Sequence, residues 1–290
     1  MKQVLVTGAN GQLGQCIQAL ADKYTQFSFL FTDIDTLDIG NRETVMTYMQ
    51  QQHIDYVINC AAYTAVDHAE EEEAKAFRVN CGALQNLAEA CCKLNAKIIH
   101  ISTDYVFDGK SYSPYTERDI PKPVSSYGRT KYAGEQVLRD FCAGYVILRT
   151  GWLYSEYGKN FCKTMYKLAQ ERDELRVVFD QVGTPTYAGD LAATILFLLE
   201  QAEEGSFSPG IYHFSNEGVC SWYDFARKIV ELSGFDCKVT PIESKEYPAA
   251  AARPPYSVLN KGKIKHTYQI AIPHWEESLK AVINRLTIND

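Results

Sequence analysis

The sequence predicts an α/β fold: a Rossmann-type, doubly wound parallel sheet followed by a smaller C-terminal domain. Three observations carry this reading. Short apolar runs alternate with helical patterns as far as residue 149, the signature of a parallel sheet with helices on both faces. The first apolar run opens directly into a turn with glycines at 8, 11 and 14. Beyond Thr150 the rhythm becomes irregular, with Pro185, Pro209, Pro241, Pro248, Pro254 and Pro255 breaking it into shorter segments. Strands are expected at 3–7, 27–32, 55–60, 97–102 and 145–149, and helices at 11–23, 41–52, 67–93 with a break, and 125–141. The implied domains are a dinucleotide-binding one over 1–150, receiving a further segment near 186–205, and a mainly substrate-binding one over 151–290 with a helix near 221–233.

The elements justify themselves in order. Lys2-Gln3-Val4-Leu5-Val6-Thr7 reads as a short buried strand and runs into Gly8-Ala9-Asn10-Gly11-Gln12-Leu13-Gly14, after which Leu13, Ile17 and Leu20 fall on one helical face. Strand, glycine turn and helix are the context a dinucleotide site requires. Gly8 permits the tight turn, Gly11 lets backbone approach a pyrophosphate, and Gly14 lets helix pack on strand. The helix N-terminus then faces the diphosphate. The Gly-x-x-Gly-x-x-Gly spacing is wider than the Gly-x-Gly-x-x-Gly of ordinary dehydrogenases. Asp33 lies just past the second strand, where an acid can accept the adenosine ribose hydroxyls, a position that favours NAD over NADP. A simple turn residue is the other reading of Asp33. Asp38 and Ile39, a few residues on, complete the cofactor set on that side.

The third strand ends in Asn59-Cys60-Ala61-Ala62-Tyr63-Thr64, whose small residues let a cofactor's backbone lie close. The run Glu70 to Glu73 reads as the solvated start of a helix. The fourth strand ends in Ser102-Thr103-Asp104-Tyr105, where a hydroxyl can share a substrate carbonyl with a phenol. That phenol is Tyr127, which with Lys131 stands four residues apart at the head of a helix, on one face. An ammonium held there is expected to lower the phenol's pKa from about 10, making it a usable proton donor or acceptor.

Composition bounds the remaining classes. A chain of 290 residues with 46% hydrophobic content can bury a full core. A net charge of −7 gives no general electrostatic reason to bind nucleic acid or an anionic membrane. The longest apolar run, Leu191 to Leu199, is too short for a membrane span, and no signal peptide is read at the N-terminus. The nine cysteines form neither CxxC pairs nor metal-like clusters and read as reduced thiols of a cytoplasmic protein.

Four motifs together resemble the dTDP-4-dehydrorhamnose reductases, extended short-chain dehydrogenases/reductases: Gly8-x-x-Gly11-Gln12-Leu13-Gly14, Ala61-Ala62-Tyr63-Thr64-Ala65-Val66-Asp67, Ser102-Thr103-Asp104-Tyr105-Val106-Phe107-Asp108-Gly109 and Tyr127-Gly128-x-x-Lys131. Arg149-Thr150-Gly151-Trp152-Leu153-Tyr154 and Arg253-Pro254-Pro255-Tyr256-Ser257-Val258-Leu259 are similar to two later segments of that family, so the resemblance spans almost the whole chain. It implies reduction of the C4 ketone of dTDP-4-dehydro-6-deoxy-L-mannose by NADPH or NADH, giving dTDP-L-rhamnose. It further implies Tyr127 as acid, Thr103 as second hydrogen bond, and Lys131 as the group that tunes Tyr127 and holds the nicotinamide ribose. Asp104, Tyr105 and Trp152 would line the sugar pocket and Arg253 would meet the nucleotide diphosphate, its planar fork suiting phosphate. Trp152 also reads as a core aromatic, and Arg253 as a surface arginine beside a rigid proline turn. No metal is required, and monomer and homodimer both stay open.

Three rivals share the fold. A 4,6-dehydratase needs two carboxylates after the threonine, but Asp104 is followed here by Tyr105. A 4-epimerase has a serine-rich segment where this chain has Ser102-Thr103-Asp104-Tyr105-Val106-Phe107. The third is a non-catalytic NADP-binding subunit resembling the one that partners methionine adenosyltransferase, against which the intact Thr103, Tyr127 and Lys131 speak. On the cofactor, Asp33 should repel a 2′-phosphate, and Ile34-Asp35 supplies no arginine to compensate.

Overall fold

A computed structural model describes residues 1–289. Its first half alternates strand and helix: β1 (Lys2–Thr7), α1 (Gln12–Ala21), β2 (Phe27–Thr32), α2 (Arg42–Gln51), β3 (Ile54–Asn59), α3 (Glu73–Phe77), α4 (Ala83–Leu94), β4 (Lys97–Thr103), α5 (Ser126–Phe141) and β5 (Tyr145–Thr150). The break expected between 67 and 93 is a short 3-10 turn at His68–Glu70 and a π-helical turn at Arg78–Gly82 that joins α3 to α4. The second half adds β6 (Leu153–Tyr154), α6 (Phe161–Glu171), β7 (Glu174–Val178), β8 (Val182–Gly183), β9 (Thr186–Tyr187), α7 (Ala188–Glu203), β10 (Gly210–His213), β11 (Cys220–Ser221), α8 (Trp222–Ser233), β12 (Lys238–Ile242), α9 (Gly262–Tyr268) and α10 (Trp275–Asn289).

The main sheet has six parallel strands in the order β10-β5-β4-β3-β1-β2. Chain order reverses beside β1, whose neighbours are β2 on one side and β3 on the other, and the crevice at such a switch point is where ligands bind in doubly wound sheets. Successive strand residues point to opposite faces. Val4, Val6, Ile58, Ile99, Val146 and Leu148 accordingly pack with α1 and α7, whereas Leu5, Val57, Ile98 and Ile147 pack with residues of α2, α4 and α5. The apolar run Leu191 to Leu199 is the buried face of α7. Among the described residues no helix is long and apolar enough to cross a membrane.

The sequence signal fades at Thr150, but the sheet does not end there. β10 pairs in parallel with β5 as a sixth strand, which no sequence expectation placed, because its four residues are too few to show a period. The second lobe has its own aromatic core of Tyr154, Phe225, Trp275 and neighbours from α6, α8 and α10, with the two-stranded pairs β12-β7, β11-β8 and β6-β9 around it.

The acidic run at 70–73 leads into α3, which begins at Glu73, and Glu71, Glu72 and Glu73 are exposed, as expected of a solvated helix start; two of its carboxylates also reach α5. Glu70 accepts hydrogen bonds from the backbone N–H and hydroxyl of Ser126, at 2.8 and 2.9 Å. Glu73 receives the guanidinium of Arg129, at 3.1 and 2.9 Å. Carboxylates at a helix N-terminus complement its unsatisfied donors and positive dipole end, so this run anchors α5, the helix of Tyr127 and Lys131.

Candidate active site

Most of the residues singled out in the sequence converge on one cleft of about 1020 Å³ at the switch point. Its lining includes Gly8, Gly11, Gln12, Leu13, Gly14, Asp33, Asp38, Ile39, Ala61, Ala62, Tyr63, Thr103, Asp104, Tyr105, Tyr127 and Lys131 from the first half of the chain, and Trp152 from the second. Asn10 and Arg253 stand outside this lining, each tied to an acid. The Asn10 N–H donates to Asp33 Oδ2 at 3.0 Å, and Arg253 Nη2 donates to Asp67 Oδ2 at 2.8 Å.

The glycine turn is fixed by backbone clearance. Gly8 has φ +66, and a Cβ there would lie 2.6 Å from the Ala61 nitrogen; one on Gly14 would lie 2.5 Å from the Ala9 carbonyl oxygen. Neither position admits a side chain without moving main chain. Asp33 accepts from Asn10 N–H on one oxygen and from Ile34 N–H on the other, at 3.0 and 2.8 Å, so it braces the turn as well as facing the cleft. Asp38 accepts from the Gly40 N–H at 2.8 Å, and the Ile39 carbonyl accepts from Asn86 at 2.9 Å. The Tyr63 N–H is held by Asn80 Oδ1 at 2.9 Å. Gln12 reaches across to the second lobe, accepting from Ser155 at 3.0 Å and Asn160 at 2.9 Å, a bridge its place in the glycine motif did not announce. Lys75 and Arg78 also line the cleft, cations that local reading around Asp33 missed because they lie far along the chain, on and just after α3.

Tyr127 is presented by a helix start under close constraint. Ser125 caps α5, accepting from the Gly128 N–H at 3.2 Å, and Gly128 lacks a Cβ where the Tyr105 carbonyl presses against it. The Tyr105 and Tyr127 rings meet edge to face at 5.5 Å. Farther along, Glu135 is fully buried and takes a two-pronged ion pair from Arg149 at 2.9 and 2.6 Å plus the Ser102 hydroxyl at 2.5 Å. That pair locks α5 to β4 and β5, and nothing local in the sequence reveals it because the partners meet only when helix and strand pack.

The electrostatics correct one expectation. Burial pushes the Tyr127 phenol up to about 12, opposed by its side-chain hydrogen bond with Thr103. The Lys131 ammonium does not draw it down, because Nζ is directed at the Ile101 carbonyl, 2.6 Å away, and at the His100 ring, 3.3 Å away. Tyr127 therefore holds its proton throughout the neutral range, the state of an acid. Burial lowers Lys131 to about 8 and raises the Asp104 carboxyl to about 6. Thr103 donates to Asp104 Oδ1 at 3.1 Å, and a Cβ on Gly151 would lie 2.6 Å from Asp104 Oδ2.

Trp152, in the left-handed region at φ 51, is half-buried. Its ring lies in the cleft wall and stacks flat on Trp222 at 3.5 Å, and Trp222 carries it onto the aromatic core of the second lobe. Trp222 itself went unremarked in the sequence. Among the described residues no group of three or more His, Cys, Asp or Glu is arranged to hold a metal ion.

The profile of the RmlD substrate binding domain family matches residues 1–288. The chain belongs to the dTDP-4-dehydrorhamnose reductase family. A dTDP-4-dehydrorhamnose reductase of Aggregatibacter actinomycetemcomitans is 40% identical over 292 aligned positions, covering 97% of this chain and 98% of that one. The crystal structure of such a reductase from Clostridium acetobutylicum superposes with a TM-score of 0.93 at 44% identity, covering 98% of this chain and 99% of that one. That of the Bacillus anthracis reductase, a complex with NADP, gives 0.94 at 40% identity, covering 98% and 100%. Family membership over nearly the full length separates this chain from the dehydratase, epimerase and regulatory-subunit rivals, which the fold alone leaves standing.

Proposed function

We propose that the protein is a dTDP-4-dehydrorhamnose reductase, reducing the C4 ketone of dTDP-4-dehydro-6-deoxy-L-mannose to give dTDP-L-rhamnose. The single observation that carries the chemistry is Tyr127, a half-buried phenol that keeps its proton at neutral pH beside Thr103 in the cleft of the Gly8–Gly14 turn. The side-chain-free cradle at Gly8 and Gly14, beside the N-terminus of α1, fits the pyrophosphate of a nicotinamide dinucleotide. Such a cofactor, when bound, supplies the hydride.

The chain's residues supply the rest. Tyr127 delivers its O–H proton to the C4 oxygen as charge develops there, and Thr103 provides the second hydrogen bond. Lys131, buried in the same wall, is placed to hold the nicotinamide ribose. Tyr105 occupies the place where a dehydratase needs a second carboxylate, so removal of a C5 proton lacks its base. Trp152, backed by Trp222, offers an apolar face to the deoxysugar. Arg253 has a buried, unpartnered Nη1 and supports the reading of a diphosphate contact.

NADPH and NADH both remain within this reading. Asp33 disfavours a 2′-phosphate, but its oxygens already serve two backbone N–H groups, and Lys75 and Arg78 bring positive charge to the same cleft. The nine unpaired cysteines suit a cytoplasmic enzyme, acting as a monomer or homodimer with no metal in the chemistry. The test is to mix the purified protein with dTDP-4-dehydro-6-deoxy-L-mannose and either NADH or NADPH, following cofactor absorbance and product. Oxidation of at least one cofactor with formation of dTDP-L-rhamnose is expected; oxidation of neither would overturn the assignment. Turnover with NADPH alone would remove the ribose-binding role of Asp33.

A further inference from the structure

A row of buried polar side chains crosses the sheet beneath the cleft. Thr7 of β1, Asn59 of β3 and His100 of β4 are register partners in adjacent strands, and Lys131 of α5 closes the row. The Thr7 hydroxyl donates to Asn59 Oδ1 at 2.7 Å; Asn59 Nδ2 lies 3.0 Å from His100 Nδ1; and His100 Nε2 lies 3.3 Å from Lys131 Nζ. All four residues are at most 2% exposed.

The direction of every hydrogen bond in this row is fixed from one end. Asn59 Oδ1 also accepts from the backbone N–H of Ala61 at 3.2 Å, and a main-chain N–H can only donate, so the Asn59 amide cannot be turned round. Its NH2 therefore donates to His100 Nδ1. Burial holds the His100 pKa well below its ordinary value, with the Lys131 charge acting in the same direction, so the ring is neutral. A neutral imidazole that accepts at Nδ1 carries its proton at Nε2. That N–H points at Lys131 Nζ. An ammonium has no lone pair to receive it, whereas a neutral amine does, while still donating to the Ile101 carbonyl at 2.6 Å.

We propose that His100 is a positioning residue that favours the neutral amine of Lys131, so that Lys131 gives up a proton readily in the cleft that holds Tyr127. This rests on the reading of Tyr127 as the acid. The amine left by loss of that proton accepts the His100 Nε2–H. The other ionisable groups around Lys131 do not account for an easily lost proton. Glu135 on α5 raises its proton affinity and is itself paired with Arg149 of β5; the Cys60 thiol, pushed up to about 12 by burial, is neutral; and Asp104 and Tyr127 line the same cleft. Burial acts in the same sense as His100, bringing Lys131 to about 8.

Two isosteric substitutions separate the idea from mere packing. In His100→Gln the amide can accept from Asn59 and still point N–H at Lys131; in His100→Glu the carboxylate accepts from both. Following the Lys131 side-chain carbon next to the amine by NMR through a pH titration, His100→Gln should stay near wild type. His100→Glu should move the midpoint up by at least about one pH unit, a tenfold rise in proton affinity. The alkaline fall in kcat should move with it. Equal midpoints in Gln and Glu variants would overturn the proposal. A further readout needs neither variant: long-range proton–nitrogen NMR of the wild-type protein should show His100 protonated on Nε2 between about pH 6 and 9, and a proton on Nδ1 would overturn it. Neither NMR measurement requires turnover, so a failure of the proposed reductase activity is distinguishable from a failure of this inference.

Discussion

The two walls of the cleft are built by opposite means. The sheet-side wall is main chain held against main chain, where Gly8 and Gly14 meet the backbones of Ala61 and Ala9 with no room for a methyl group. The lobe-side wall is side chain held by side chain: Trp152 rests on Trp222, and outside the lining Arg253 is held by Asp67, 186 positions away. Gly183 serves this wall too, since a Cβ there would lie 2.7 Å from the Trp152 ring. A wall of the first kind fixes a shared ligand element, because backbone cannot adapt to substitution. A wall of the second kind is open to variation, because ring size and ring support can change without unmaking the sheet. The catalytic helix α5 belongs to the first wall, pinned by Glu70, Glu73 and the buried Glu135–Arg149 pair.

The contrast can be broken from its strongest side first. Tyr127→Phe, which leaves the fold and the glycine turn intact, should lower kcat by about 10²–10⁴ while nucleotide binding measured by calorimetry stays near wild type. Near-normal turnover would sink Tyr127 as the proton donor. Arg149→Leu strands a buried carboxylate on α5, and an uncompensated buried charge costs about 3–5 kcal/mol, read as a shift in the urea midpoint. If that variant matched wild-type stability, the pair would not be what pins α5. Gly14→Val forces a side chain against the Ala9 main chain; it should cost about 1–3 kcal/mol in stability and remove detectable dinucleotide binding. On the opposite wall Trp222→Ala should be milder. Losing the stacked support of Trp152 is worth about 0.5–1.5 kcal/mol, a rise of up to about tenfold in KM for the nucleotide sugar with little change in cofactor binding. A Trp222→Ala protein that lost cofactor affinity instead would erase the distinction between the walls.

The sheet-side wall was legible in the sequence and much of the other was not. Five strands and their helices announce themselves by period, and the glycine spacing announces its turn, because each reflects contacts among residues close along the chain. β10 was missed, being too short to show a period and separated from its partner β5 by the whole of the first part of the second lobe. Trp222, Arg149 with Glu135, and the Asp67 clamp on Arg253 were missed because their partners lie on other elements. The acidic run Glu70–Glu73 is the solvated helix start the sequence implies, and its second role, holding the head of α5, escapes the sequence for the same reason.

By itself the sequence determined the layered sheet, the dinucleotide turn and the list of groups able to handle a proton, since periodicity, glycine clearance and functional-group chemistry are properties of the residues. Only the tertiary structure decided the protonation states that make those groups act. Tyr127 keeps its proton and Lys131 readily loses one because burial strips water from both, and because a hydrogen-bond row starting at Thr7 aims the His100 N–H at Lys131. Desolvation and hydrogen-bond direction belong to the packed arrangement of four strands and helices, not to any one of them.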